Sequence, residues 1–176
     1  RSYGQEDFVG RGCSLSSLYY PQSVALDAAG RLWVGSYAYV YGFDAPLAGS
    51  PAHQQPSRVL GSGSCNPNGE TSSSSCFPTG VGTDSQGRLY VADSVNSRVL
   101  GFDAPMSVNQ AAIVFGQPSF GPPAGGTTFC GNQACNNGGA GASSLCLHNY
   151  SGSEISCGID FAAALAVDAS DNLWVA

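Results

Sequence analysis

One phrase is written three times along this chain, and its spacing constrains the fold more than any other feature. The first copy reads Pro21…Val24-Ala-Leu-Asp27…Gly30-Arg-Leu-Trp-Val34…Gly42-Phe-Asp-Ala-Pro46. The second reads Pro78…Val81-Gly-Thr-Asp84…Gly87-Arg-Leu-Tyr-Val91…Gly101-Phe-Asp-Ala-Pro105. A third resumes at Leu165-Ala-Val-Asp168…Asn172-Leu-Trp-Val175. The lead-ins Gly4-Gln5…Phe8, Gly61 and Gly116-Gln117…Phe120 recur ahead of them. A repeat of this length in strand periodicity predicts a modular β architecture whose function sits on loops, and a third copy that stops at Ala176 predicts a piece of a larger array.

Each unit reads as four short strands. In the first strand (Ser23–Asp27, Gly80–Asp84, Ala164–Asp168), Val24, Val81 and Leu165 share a face with Leu26, Thr83 and Val167. Ala25, Gly82 and Ala166 point the other way, and small residues on one face mark the close approach of a neighbouring backbone. This predicts a crowded innermost strand. The turns Asp27-Ala-Ala-Gly30 and Asp84-Ser-Gln-Gly87 follow, with Asp accepting local N–H bonds and Gly supplying positive φ. Asp171-Asn172 take that place in the third copy, a poorer substitute that still visits the left-handed region. A ring of metal ligands is the functional alternative for Asp27, Asp84 and Asp168, but the Asp-x-x-Gly spacing already explains them as turn caps.

The second strand (Arg31–Gly35, Arg88–Ala92, Asn172–Ala176) alternates Leu and Val with Trp33, Tyr90 or Trp174, an aromatic stripe expected in an inter-sheet core. Tyr39–Asp44 and Arg98–Asp103 form the third strand, Ser57–Gly61 and Ala111–Gly116 the fourth. Val24, Leu26, Leu32, Val34, Val81, Leu89 and Val91 are expected to be buried together with Trp33 and Tyr90. Recurring four-stranded sheets of this kind bury their faces against neighbours, radially in a propeller. A linear β-solenoid is the rival, but its repeats are much shorter.

Composition narrows the function classes. Charged residues are 10% of the chain, well under the roughly 25% of ordinary soluble proteins. The net charge is −6, and the positive charges are six scattered Arg with no Lys. A phosphate-backbone binder needs clustered Lys and Arg, so nucleic acid is not expected as a partner. The longest apolar run, Phe161 to Val167, falls far short of the ~20 residues of a membrane helix, so no membrane span is expected here.

The seven cysteines sit in Gly/Ser/Asn-rich stretches outside the expected strands. That placement predicts loop staples in an oxidising compartment: extracellular, periplasmic or at the cell surface. Cys65–Cys76 and Cys146–Cys157 are equally spaced and each pair precedes a first strand, which predicts two local disulfides. Cys130–Cys135 is a weaker third pair, leaving Cys13 without a mate. Zinc is disfavoured, because there is no C-x-x-C and only His148 lies near a cysteine, Cys146. No cofactor is expected.

The run Pro78-Thr-Gly-Val-Gly-Thr-Asp84-Ser-Gln-Gly87-Arg-Leu-Tyr-Val-Ala-Asp93-Ser-Val-Asn96-Ser-Arg98-Val-Leu100 closely resembles the NHL repeat, the blade unit of NHL propellers. Val114-Phe-Gly-Gln-Pro-Ser-Phe120 resembles the outer strand and following turn of bacterial members. The resemblance implies an all-β fold, a partial β-propeller of four-stranded antiparallel blades, about six when complete. Its repeat-signature residues are Asp27, Asp84, Asp168, Gly30, Gly87, Asp93, Asn96 and Arg98. It implies that residues 1–8 end a preceding blade's outer strand, that 21–61 and 78–117 are blades, and that 161–176 are the first half of another. Residues 121–160 form a Gly/Cys-rich insert. The first blade departs from the pattern: Ser36-Tyr-Ala-Tyr39 stands where the second has Asp93…Asn96-x-Arg98, and it is shorter. Ser97 stands where the family's name-giving His would be.

Links 9–20, 62–77 and 121–160 join a fourth strand to the next first strand, and in a propeller they share a face with the loops between second and third strands. Inserts on one rim build a binding surface over a rigid scaffold. The expected function is therefore a non-catalytic binding or scaffold propeller, presenting stapled loops to a protein or carbohydrate ligand. Some NHL propellers are lyases or hydrolases, so the alternative is part of such an enzyme, with its active site largely in other blades. His53 and His148 lie outside the strand ends that line a channel, and no G-x-S-x-G elbow occurs. Glu70, Glu154 and Asp160 are insert acids without partners, and no catalytic residue is assigned. Asn149-Tyr-Ser151 fits a glycosylation acceptor. The half-blade 161–176, with Trp174, is expected to present an open edge.

Overall fold

A computed structural model of the chain describes residues 2–3, 18, 20–37, 39–44, 53–62, 73, 75, 78–94, 98–116, 120 and 164–176. All regular structure among them is β, apart from turns and a single 3-10 position at Ser94. Strands β2 (Pro21–Leu26), β3 (Leu32–Ser36), β4 (Tyr39–Phe43) and β6 (Arg58–Leu60) form one four-stranded antiparallel sheet in the order β2-β3-β4-β6. Strands β7 (Pro78–Thr83), β8 (Leu89–Asp93), β9 (Arg98–Phe102) and β10 (Ile113–Phe115) form a second with the same order. Strands β11 (Leu165–Val167) and β12 (Leu173–Val175) pair as a third hairpin. Each sheet is an up-and-down meander, the form of a propeller blade. Strand β1 (Ser2–Tyr3) pairs parallel with β5 (His53–Gln54); the rest of the expected outer strand at 1–8 lies outside the described residues.

The two sheets repeat even in their irregularities. Each first strand opens on a proline, Pro21 or Pro78, and shifts register immediately after it. Proline has no N–H for a ladder bond, so it is confined to a strand start or bulge. Deeper in, Trp33 faces Gly42 across β3 and β4, and Tyr90 faces Gly101 across β8 and β9. A Cβ built on Gly42 would stand 2.9 Å from the Trp33 ring, and one on Gly101 would stand 3.4 Å from the Tyr90 ring. The recurrent glycine of Gly-Phe-Asp-Ala-Pro makes room for the recurrent aromatic.

Sheets pack face to face through their first strands. Ala25 and Trp33 of the first sheet join Val81, Leu89, Val91, Leu100 and Phe102 of the second in one core. The approach is tight at Gly35, whose Cβ would meet the Pro78 carbonyl oxygen at 2.5 Å. The far side of the second sheet repeats the arrangement against the third unit, where a Cβ on Gly82 would meet Val167 at 3.3 Å. The Thr83 hydroxyl donates to the Leu26 carbonyl, and the Arg58 guanidinium donates to the Pro105 carbonyl. Asn109 accepts from the Gly61 N–H, so the outer strands are tied as well.

The expected buried set needs one correction. Trp33, Val34, Val81, Leu89, Tyr90 and Val91 are buried, but Val24 is 65% and Leu26 54% exposed, and Leu32 is only half-buried. Val24 and Leu26 occupy the positions that Val81 and Thr83 hold in the second sheet, and Val81 is buried because the first sheet lies over it. Among the described residues nothing lies over Val24 and Leu26 on the corresponding face of the first sheet. Alternation identified the face correctly; burial depends on a neighbouring sheet. Farther out on that face Val34, Tyr41 and Phe43 form a small core under Leu18, Leu32, Tyr39 and Val59. Trp174, at the opposite end of the stack, is 62% exposed.

Candidate functional site at the link-bearing end of the sheets

The meander gives every sheet two unlike ends. At one lie the tight turns β2–β3, β7–β8 and β11–β12. At the other lie the strand starts at Pro21 and Pro78, the hairpins β3–β4 and β8–β9, and the strand ends from which the links leave.

The turn end is a closed hydrogen-bonded assembly. Asp27 Oδ1 accepts from the N–H groups of Ala29 and Arg31, while its Oδ2 accepts from Trp33 Nε1 at 3.1 Å. Asp84 repeats this with Gln86 and Arg88, and Tyr90 Oη donates to its Oδ2 at 3.0 Å. Asp168 does the same with Ser170, Asn172 and Trp174. One carboxylate thus caps the turn and holds the aromatic of the following strand. Arg31 bridges Asp27 to Asp44, and Arg88 bridges Asp84 to Asp103. Gly30 and Gly87 take positive φ at the turn. In the third unit Asp171 takes that conformation, φ +61°, and its carboxylate accepts from both the N–H and the hydroxyl of Ser85. The substitute for glycine is therefore also a latch between neighbouring units. These bonds hold the Asp168 carboxyl at about 2, chiefly through the Asn172 side chain, and lower Asp171 through Ser85. The Asp44 carboxyl is lowered by its bond from Arg31.

The link end differs between the two sheets. In the second, Arg98 Nε donates to Asp93 Oδ2 at 2.7 Å with both side chains fully buried, and its Nη1 donates to the Phe120 carbonyl. The Thr79 and Ser94 hydroxyls bond to each other beside them. Asn96 lies outside the described residues. In the first sheet Ser36 pairs with Tyr39 where Asp93 pairs with Arg98. The ion pair is absent from these positions, and Tyr37 sits in the short turn.

Tyr37 adopts φ +25° and Tyr20, just ahead of β2, adopts φ +53°. The Pro21–Ser36 pairing makes these two tyrosines the next residues outward on adjacent strands. Both are exposed, at 57% for Tyr20 and 37% for Tyr37. Behind them Tyr39 and Tyr41 form a tilted pair with centroids 5.8 Å apart. Burial, reinforced by Tyr39, raises the Tyr41 hydroxyl above the usual phenol range.

No carboxylate among the described residues stands apart from structural bonding. Asp27, Asp84 and Asp168 cap turns, Asp44, Asp93 and Asp103 bond arginines, and Asp171 bonds Ser85. No group of three His, Cys, Asp or Glu suited to a metal occurs among the described residues. Among the described residues no helix is long and apolar enough to cross a membrane. Cys13, Cys65, Cys76, Cys130, Cys135, Cys146 and Cys157 lie outside the described residues, as do His148, Asn149, Glu70, Glu154 and Asp160. The aromatic-to-aspartate bonds and the Arg31 and Arg88 bridges were hidden in the repeat, although both partners recur in it. The tyrosine corner is visible in sequence only as a departure from the repeat.

Residues 76–102, spanning β7 to β9, match the family model described as the NHL repeat. A search of the curated proteins finds no match to the chain.

Proposed function

We propose that this NHL-repeat chain is a non-catalytic binding or scaffold module whose link-bearing end takes a protein or carbohydrate ligand. One observation carries the reading. The described carboxylates are all engaged in holding turns, arginines or the neighbouring unit, which suits a rigid support and leaves none of them free as a general acid or base. The link end, by contrast, varies from sheet to sheet over a fixed backbone, as binding surfaces on repeat scaffolds do. The links carry the disulfides Cys65–Cys76 and Cys146–Cys157, and Cys130–Cys135 as a third, and the protein works outside the reducing cytosol.

The test replaces links 9–20, 62–77 and 121–160 with short Gly-Ser connections and measures ligand binding on arrays of glycans and extracellular proteins. Binding is expected to vanish with the β circular dichroism retained. Binding that survives the replacement, or catalytic turnover by the unaltered chain, overturns the reading. Peptide mapping without reduction is expected to recover Cys65 joined to Cys76; free thiols at both would remove the staples from the account.

A further inference from the structure

We infer that Tyr20 and Tyr37 form a stacking platform for a neutral pyranose ring at the link-bearing corner of the first sheet. The inference rests on the proposed binding role and supplies its ligand class.

The Ser36–Tyr39 pairing closes a tight hairpin, in which positive φ at the first central residue normally selects Gly, Asn or Asp. Tyr37 holds that position at φ +25°, and Tyr20 holds a second left-handed conformation at φ +53°. Bulky residues are disfavoured there, and unfavourable backbone states concentrate where ligands are clamped. Two such residues of one type, on adjacent strands of one corner, set that corner apart. Asp171, the remaining non-glycine residue with positive φ among those described, lies in the third unit.

Chemistry selects the ligand. A tyrosine offers an apolar ring face and a hydroxyl at its edge, which matches the C–H face and hydroxyl rim of a pyranose. Each tyrosine keeps substantial exposure although neither is without a partner in the chain. Among the described residues no charge at this corner suits an ionic ligand: Arg31, Arg58 and Arg88 lie at the turn end, and Arg98 is buried against Asp93 in the other sheet. In the second sheet the Asp93–Arg98 ion pair takes the place of the Ser36–Tyr39 pairing, and Ser94 stands where Tyr37 does.

Tyr20→Asn and Tyr37→Asn test this, because asparagine suits the left-handed conformation and keeps the fold. Calorimetric titration of the whole chain with neutral gluco-, galacto- and manno-oligosaccharides is expected to find one that binds. Either variant should weaken it about tenfold, the loss of one aromatic stacking partner, with an equal or higher melting temperature. Unchanged affinity in both variants, or no binding by the parent chain to any of these sugars, overturns the platform. A proline-rich peptide that binds in their place, and is lost on link replacement, would overturn the sugar assignment while leaving the proposed binding role intact.

Discussion

Tyr90 and Trp33 show how much a single side chain settles in this repeat. Each fills the core with its ring, covers a cross-strand glycine and donates its polar atom to the aspartate of the preceding turn. Tyr90→Phe removes one bond to Asp84, whose side chain is fully buried. A hydrogen bond to a charged acceptor contributes about 1.5–3 kcal/mol, so chemical denaturation should show a loss in that range; a change within error would mean Arg88 alone suffices for Asp84. Gly42→Ala is expected to cost roughly 1–3 kcal/mol, because the new methyl overlaps the Trp33 ring. The repeat displayed aspartate, aromatic and glycine side by side in sequence, and turn capping was legible from Asp-x-x-Gly spacing. The bond from aromatic to aspartate was not, because it depends on a side-chain reach across the hairpin that spacing does not encode.

At the scale of elements, the hairpins show how one topology carries different fastenings. Arg98→Ala should destabilise by about 3–5 kcal/mol, since Asp93 would remain buried without its counter-charge. Replacing Asp93 and Arg98 together by leucine should recover much of that loss in the same denaturation assay; no recovery would mean the arginine acts chiefly by packing and by its bond to the Phe120 carbonyl. The β11–β12 hairpin responds to acid instead. Its carboxyls at Asp168 and Asp171 are lowered, so their contribution is complete above the ordinary carboxylate range near ~3.9. It is lost as pH falls from there through about 2 for Asp168. The Trp174 indole N–H resonance should therefore shift over that interval; an unmoving Trp174 signal would remove the Asp168 bond from the account. The four strands of each sheet were legible from period-two alternation, although the first strands begin earlier than read, at Pro21 and Pro78, and β5 at His53–Gln54 was not expected. The Asp171 latch was not, because the sequence marks it only as a missing glycine.

For the whole molecule, the repeat was legible as stacked sheets, but which face of each sheet is covered was not. Val24 and Leu26 read as core and are exposed, because no described residue lies over their end of that face. Gly35→Ala would drive a methyl toward the Pro78 carbonyl, so the first and second sheets should separate while β7 to β10 keep their amide protection. Uniform loss of protection would instead make the sheets one inseparable unit. The exposed Val24, Leu26 and Trp174 also predict concentration-dependent association in size-exclusion chromatography, relieved by Val24→Thr with Leu26→Lys. The central claim is that a rigid, fully bonded turn end supports recognition at the opposite end. Hydrogen exchange with and without a bound neutral oligosaccharide tests it most directly. The account predicts new protection at Tyr20 and residues 36–39, with residues 27–31 and 84–88 unchanged; protection appearing at those turns instead would contradict it.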